Sequence, residues 1–296
     1  MSAHTSKFVA EVSSNHHSDL GRCMRFVEVA SEIGCDAVKF QQFKIRELFA
    51  PEALRANPAL LEREAWELPE SFNADLAVRA HELGLEFAST PFYRGAVDAL
   101  AAHVDFFKLA SYQVPWLGFL HEVAQVRKPV VLSVGMATLQ EIDAAVVVLL
   151  AGGCRDLQLL HCVSNYPTPP ELANLAAIAT LRERYQLPIG WSDHTVTPGV
   201  IERAVNHFGA SMVEFHLDLD RSGGEYESGH CWLPDGMAQV ICGLSEGTTP
   251  PETSAFDGDG EIGPKPSELH ERKWRSDPSD GLRPCLEERE RLSAES

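Results

Sequence analysis

The feature that most narrows the fold is a repeated alternation. Eight short apolar runs, "KFVAEV", "DAVKFQQF", "EFAST", "FFKLAS", "PVVLSVGM", "LQLLHCVS", "PIGWSDH" and "MVEFHLDL", recur along the chain. Segments of helical period lie between them, over 20–33, 72–83, 93–102, 117–126, 139–150, 174–185 and 198–208. Near-continuous hydrophobic strands need cover on both faces, and strand–helix alternation supplies it. The pattern predicts an α/β fold of the (β/α)8 TIM barrel type, with an open doubly wound sheet as the alternative. The barrel is expected over residues 1–246. Past about Gly247 the periodicity gives way to Pro, Gly, Ser and acidic residues, so 247–296 reads as an extended, partly ordered C-terminal tail ending in a charged helical turn, "CLEERERL", and not a separate domain. Gly34 and Gly84 read as helix-ending residues and Ser71 and Asn73 as N-caps, while 44–70 reads as an excursion over the barrel mouth.

Charge and cysteine usage bound the partners. A formal net charge of −18 opposes association with nucleic acid or anionic lipid, both of which need clustered cations. A small anionic substrate is compatible with it, because pocket cations act locally while remote carboxylates are screened. No apolar run reaches the roughly 18 residues of a membrane helix, and the N-terminus lacks a signal-peptide layout. Seven scattered cysteines without a C-x-x-C pair fit reduced thiols in the cytoplasm.

Functional groups of such a barrel gather at the carboxyl ends of its strands. Those ends carry Glu11; Lys39 and Gln41; Ser89 and Thr90; Lys108 and Ser111; Ser133; His161, Ser164 and Asn165; Ser192, Asp193 and His194; and Glu214 and His216. A single buried Ser or Thr can satisfy itself on its own backbone, but eight polar strand ends exceed what packing requires. Lys39 and Lys108 sit inside strands, where a charge must be paired. Each is read either as a structural ion pair with a nearby carboxylate or, with Thr90, Ser111, Ser133, Asn165 and Ser192, as part of a cradle for a phosphate- or carboxylate-bearing substrate. His194 and His216 end neighbouring strands and are placed either as packing residues or as ligands of one divalent ion with open positions. Glu11, on the strand that closes the barrel, lies within reach of that ion or balances a lysine.

The motifs "AEVSSNHHSDL", "AVKFQQFK", "ASTPF", "FKLAS", "KPVVLSVGMATLQEI", "LLHCVSNYPTP", "GWSDHT" and "VEFHLDLD", in this order, resemble the phosphoenolpyruvate-dependent sialic acid synthases (N-acetylneuraminate synthases) and their nonulosonic-acid relatives, from about Lys7 to Leu233. The resemblance implies condensation of phosphoenolpyruvate with the aldehyde of an amino sugar such as N-acetylmannosamine, using Mn2+, Mg2+ or another divalent ion. It places the metal on His194 and His216 and phosphoenolpyruvate on Lys39, Thr90, Lys108, Ser111, Ser133, Asn165 and Ser192. Glu11 becomes the catalytic carboxylate, and Gln41 and Tyr166 become sugar contacts. A homodimer is also implied.

The departures from that pattern fall on the sugar side. "SYQ" puts Gln113 where the family has a carboxylate, and in "DRSGGEYESGHCWLP" Glu225 or Glu227 stands in for a sugar-binding aspartate. The C-terminal antifreeze-protein-like domain, which in the family carries an arginine into the partner's site, is expected to be absent; Arg272, Arg275 and Arg283 are the tail's candidates for that role. Two other readings stay open: a class I aldolase-like enzyme forming a Schiff base on Lys39 or Lys108 with a pyruvate-like substrate, and a non-catalytic barrel that binds sugar phosphates.

Overall fold

The computed structural model describes residues 6–247 and 253–295. Eight parallel strands pair in chain order and close on themselves: β1 (Lys7–Glu11), β2 (Ala37–Gln42), β3 (Glu86–Pro91), β4 (Phe106–Leu109), β5 (Val130–Ser133), β6 (Leu157–His161), β7 (Ile189–Asp193) and β8 (Met212–His216). All eight apolar runs become strands, and all but "EFAST" outlast their strand at the carboxyl end, so several of their polar residues fall in the first turn of a loop. The helices that cover the sheet are α1 (Leu20–Glu32), α2 (Asn73–Glu82), α3 (Arg94–Ala101), α4 (Leu117–Gln125), α5 (Leu139–Ala151), α6 (Ala177–Tyr185), α7 (Pro198–Asn206) and α8 (Pro234–Glu246). Local chemistry explains several boundaries. Asp19 caps α1 by accepting from the Arg22 N–H at 2.6 Å; Thr138 and Glu141 form a reciprocal capping box on α5; Gly34 and Gly84 follow α1 and α2 at positive φ.

The expected caps of α2 are a correction. Asn73 lies inside the helix, fully buried, and its amide donates to Gln42 Oε1 at 2.9 Å, tying α2 to β2; no side chain caps that end.

Period-2 alternation organises the barrel interior. Its lower layer is apolar, built from Val9, Ala37, Ala88, Phe106, Val131, Leu160 and Met212. On β7 that level is Gly190, where an added Cβ would lie 2.5 Å from both Leu160 Cδ2 and the Met212 carbonyl. Two residues further along every strand the interior turns polar: Glu11, Lys39, Thr90, Lys108, Ser133, Cys162, Ser192 and Glu214. Strand register fixes the neighbours in this ring, Glu11 standing beside Lys39 on one side and His216 on the other, and Ser192 beside Glu214.

The segment expected as an extended tail is folded. From Phe256 to Arg283 it runs across the loops after β7, β6, β5, β4 and β2 in turn, then forms a helix over Leu286–Glu295. Asp257 pairs with Arg203, and the Glu261 carbonyl accepts from Asn174 Nδ2 at 3.1 Å. Buried Glu268 accepts the N–H groups of Met136 and Ser164 at 3.2 and 2.7 Å. Arg272 and Arg275 both hold Glu141, at 3.0 and 2.8 Å, and Arg283 bridges in parallel to Phe49. Each anchor is a single polar side chain or backbone pair, on a loop or, for Arg203 and Glu141, in a helix, so this strap carries no periodic sequence signal. Among the described residues no helix is long and apolar enough to cross a membrane.

Candidate active site

Above the polar ring lies a cavity of about 350 Å3, lined by the ring and by Ser13, Gln41, Phe92, Ser111, Tyr112, Tyr166, His194, His216, Glu225, His230 and Arg283, with Arg63 and Trp66 from the excursion after β2. Its floor is a charge network. Lys39 forms an ion pair with Glu11, lies 3.9 Å from Glu214 and donates to Thr90 Oγ1 at 3.2 Å. Lys108 lies 3.4 Å from Glu214, which also accepts from Ser192 Oγ at 3.1 Å. Burial pulls Lys39 down, but Glu11 and Glu214 outweigh it and hold the ammonium above its ordinary range. Lys108 goes the other way, since burial outweighs Glu214 and the Lys39 charge adds to the loss. Burial opposes the Glu214 charge, yet Lys108, Lys39 and His216 hold the carboxyl down at about 2. The Ser133 hydroxyl has no protein partner, and Ser111 Oγ takes the Gly135 N–H at 2.9 Å.

One wall is aromatic and imidazole. The His194 and His216 rings lie 5.6 Å apart, the His230 ring is 4.6 Å from His216, and Tyr166 packs on His194 at 4.3 Å. His194 Nδ1 meets the Val163 carbonyl at 2.8 Å; a carbonyl only accepts, so Nδ1 carries the hydrogen. Burial, then the His216 charge, push this imidazole down to about 3, so it is neutral at pH 7 with a free Nε2 lone pair, the form a metal needs. Burial works against charging His216, but its contact with Glu225 at 3.1 Å more than compensates, and the ring titrates above its ordinary value. His230 Nδ1 is buried without a partner. Neutral or acid-paired imidazoles around an orphaned nitrogen fit a divalent ion.

Most of the expected residues meet here. Glu11, Lys39, Gln41, Thr90, Lys108, Ser111, Ser133, Tyr166, Ser192, His194, His216 and Glu225 all line the cavity. Gln41 donates to Glu11 Oε1 at 2.6 Å and to Ser13 Oγ at 3.0 Å. Three residues do not join them. Gln113 is fully buried outside the cavity, accepting from the Ala110 N–H at 2.9 Å and donating to the Pro91 carbonyl at 2.7 Å, so its amide ties β3 to β4. Asn165 lies in the turn after β6, its carbonyl taking the Thr168 hydroxyl at 2.7 Å, and Glu227 is exposed on the loop after β8. The cavity also contains groups not singled out as binding residues. Glu214 is one, although its place at a strand end beside two interior lysines signalled it; His230 had no periodic signal. Of the three tail arginines, only Arg283 reaches the cavity, its guanidinium 4.3 Å from the Tyr112 ring and 4.9 Å from that of Phe92.

The NeuB family pattern matches residues 26–248, which run from the first helix through the last strand and helix of this barrel. The chain belongs to the NeuB family. An uncharacterized protein of Methanocaldococcus jannaschii is 38% identical over 220 residues, 72% of this chain and 62% of its own. N,N'-diacetyllegionaminic acid synthase of Legionella pneumophila is 36% identical over 239 residues, 75% of this chain and 66% of its own. Among solved structures, the N-acetylneuraminic acid (sialic acid) synthetase of Leptospira borgpetersenii, crystallised with citrate, superposes with a TM-score of 0.76 at 29% identity over 90% of either chain. The NeuB-family chain thus spans about two thirds of the length of the curated relatives it matches.

Proposed function

We propose that this protein condenses phosphoenolpyruvate with the open-chain aldehyde of an amino sugar, releasing phosphate and forming a nonulosonic acid. The observation that carries the reading is the polar ring: two lysines, two carboxylates and three hydroxyls occupy one interior level of a NeuB-family barrel, directly beneath an imidazole wall. Lys39 and Lys108, with Thr90, Ser111, Ser133 and Ser192, hold the phosphate and carboxylate of phosphoenolpyruvate and set C3 against the aldehyde carbon. Anion binding draws Lys108 from Glu214, and the free Ser133 hydroxyl supplies a donor. In the reaction the C3–C bond forms, water adds at C2, and phosphate departs as the C2–O bond breaks. Glu11, ion-paired to Lys39 and hydrogen-bonded to Gln41, is the group placed to move a proton, worth roughly 10²–10⁴-fold. His216 and His194 would hold a divalent ion, expected as Mn2+ or Mg2+ from the resemblance, and that ion would polarise the aldehyde as a Lewis acid. Gln41, Tyr166 and Glu225 face the acceptor.

One observation favours a second reading. Burial lowers the Lys108 amine, as Schiff-base lysines require. Phosphate release from phosphoenolpyruvate, followed with a panel of amino sugars and with the protein chelator-stripped or reloaded, tests the first. Covalent labelling of Lys108 by pyruvate and borohydride would replace it with the second.

A further inference from the structure

The loop after β8 adds two donors that this reading leaves unused, His230 and Cys231, beside His216 and Glu225. His216, Glu225, His230 and Cys231 each offer one ligand atom, and the four atoms lie within 4.8 Å of one another; among the described residues no other such group occurs. The backbone brings the four residues together. Leu217 and Trp232 form a parallel bridge, with the Trp232 N–H donating to the His216 carbonyl at 2.8 Å and the Asp218 N–H to the Trp232 carbonyl at 2.9 Å. That pairing returns His230 and Cys231 to the end of β8, and Gly229, at φ 84°, turns the chain to let it happen. Both residues are buried, 4% and 5% exposed. A Glu225 oxygen stands 3.1 Å from His216 Nδ1 and 3.7 Å from His230 Nε2, while His230 Nδ1 has no partner. Buried polar atoms are rarely left without a partner, and an ion is one group that takes such an atom. His216, Glu225 and His230 line the cavity and Cys231 does not, so the thiol closes the back of the cluster and its front faces the substrates.

We infer that this chain holds its divalent ion on His216 with His230, Glu225 and Cys231 in place of the His194–His216 pair, and therefore takes a borderline ion of the zinc or ferrous class in place of Mn2+ or Mg2+. Thiolate and imidazole donors suit zinc, iron and cobalt, whereas magnesium and manganese prefer oxygen. Binding deprotonates the thiol and releases that proton to solvent. Only the ion's catalytic role rests on the condensation reading; its binding does not.

The test uses the full chain, stripped with a chelator and titrated with Co2+ without substrate. The expected result is one ion per chain with a near-ultraviolet sulfur-to-cobalt charge-transfer band, lost in Cys231→Ser. Zinc outcompetes manganese at most sites, so the zinc-to-manganese affinity ratio is compared between proteins; it should fall at least about tenfold in Cys231→Ser, the lower end of the loss seen for changes around a metal site. A wild-type cobalt protein without the sulfur band, or a ratio unchanged in the variant, overturns the assignment. The melting temperature of metal-free Cys231→Ser is read first, and if that variant does not fold, the wild-type spectrum decides. A protein that shows the band yet releases no phosphate from phosphoenolpyruvate sinks the condensation and leaves the site. Phosphate release without the band does the reverse.

Discussion

Glu11 and Lys39 are in-register neighbours on β1 and β2 and form an ion pair inside the barrel. The pair is both a structural element and the floor of the cavity, and the two roles separate by mutation. Lys39→Met leaves Glu11 buried without its cation and is expected to cost about 3–5 kcal/mol of stability. Adding Glu11→Gln removes the stranded charge and should restore much of that loss in urea unfolding, while phosphate release stays abolished in both proteins. A single variant as stable as wild type would show that the pair does not support the fold.

Glu268 tests the strap. Its carboxylate takes the backbone N–H groups of Met136, Ser164 and Lys265 at 3.2, 2.7 and 2.8 Å, two of them on the loops after β5 and β6. Glu268→Ala strands these donors, and leaving buried donors unsatisfied costs about 1–3 kcal/mol. Hydrogen exchange at the Met136 and Ser164 amides should speed up, with exchange in the central strands unchanged. Equal exchange in variant and wild type would mean that the clamp does not hold in solution.

How much of this was legible follows from what each feature depends on. The barrel was, because eight apolar runs cannot be buried on both faces without helical cover. The polar ring was too, since a side chain two residues beyond an interior apolar position must also point inward; Lys39 follows Ala37, and Lys108 follows Phe106. Gln113 misled because residue type and strand end do not show which way an amide turns, and its two hydrogen bonds to Ala110 and Pro91 are decided by tertiary packing. His230 was invisible for a different reason: the Leu217–Trp232 bridge brings it back to β8 across an irregular loop. The strap escaped because Glu268, Arg272 and Arg283 grip loops singly, without a repeat.

His161 sets a pH dependence. Its Nε2 donates to the Ala173 carbonyl at 2.9 Å, and burial pushes the ring down to about 4 from an ordinary 6.5. Between those values the unfolded chain binds a proton that the folded chain refuses, so stability falls as pH drops through this window and is intact above it. His16, also lowered to about 4 by burial, acts in the same direction. His161→Gln keeps an N–H donor without the titration. Its stability-against-pH curve should be shallower than wild type by about 1.4 kcal/mol per pH unit in that window, read from urea midpoints at stepped pH. Parallel curves would remove His161 as a source of acid lability.

Arg283 is the cavity's one buried guanidinium without a carboxylate partner among the described residues. Its backbone is pinned by the Leu48 carbonyl and the Ala50 N–H, both at 2.8 Å, its plane stacks on Tyr112 and Phe92, and its Nε and Nη2 have no acceptor. Burial pushes it down to about 10, as expected of a cation without a counter-charge. In the proposed reaction phosphoenolpyruvate takes Lys39 and Lys108 on the floor, which leaves Arg283 as the donor proposed for the acceptor. Arg283→Met keeps the aromatic contacts and removes the charge. Because an unpaired buried charge does not stabilise a fold, the melting temperature should not drop, whereas KM for the acceptor sugar should rise roughly 10–100-fold, the worth of hydrogen bonds from a charged group. KM for phosphoenolpyruvate should stay nearly unchanged, and a rise confined to phosphoenolpyruvate would move Arg283 to the other half of the site.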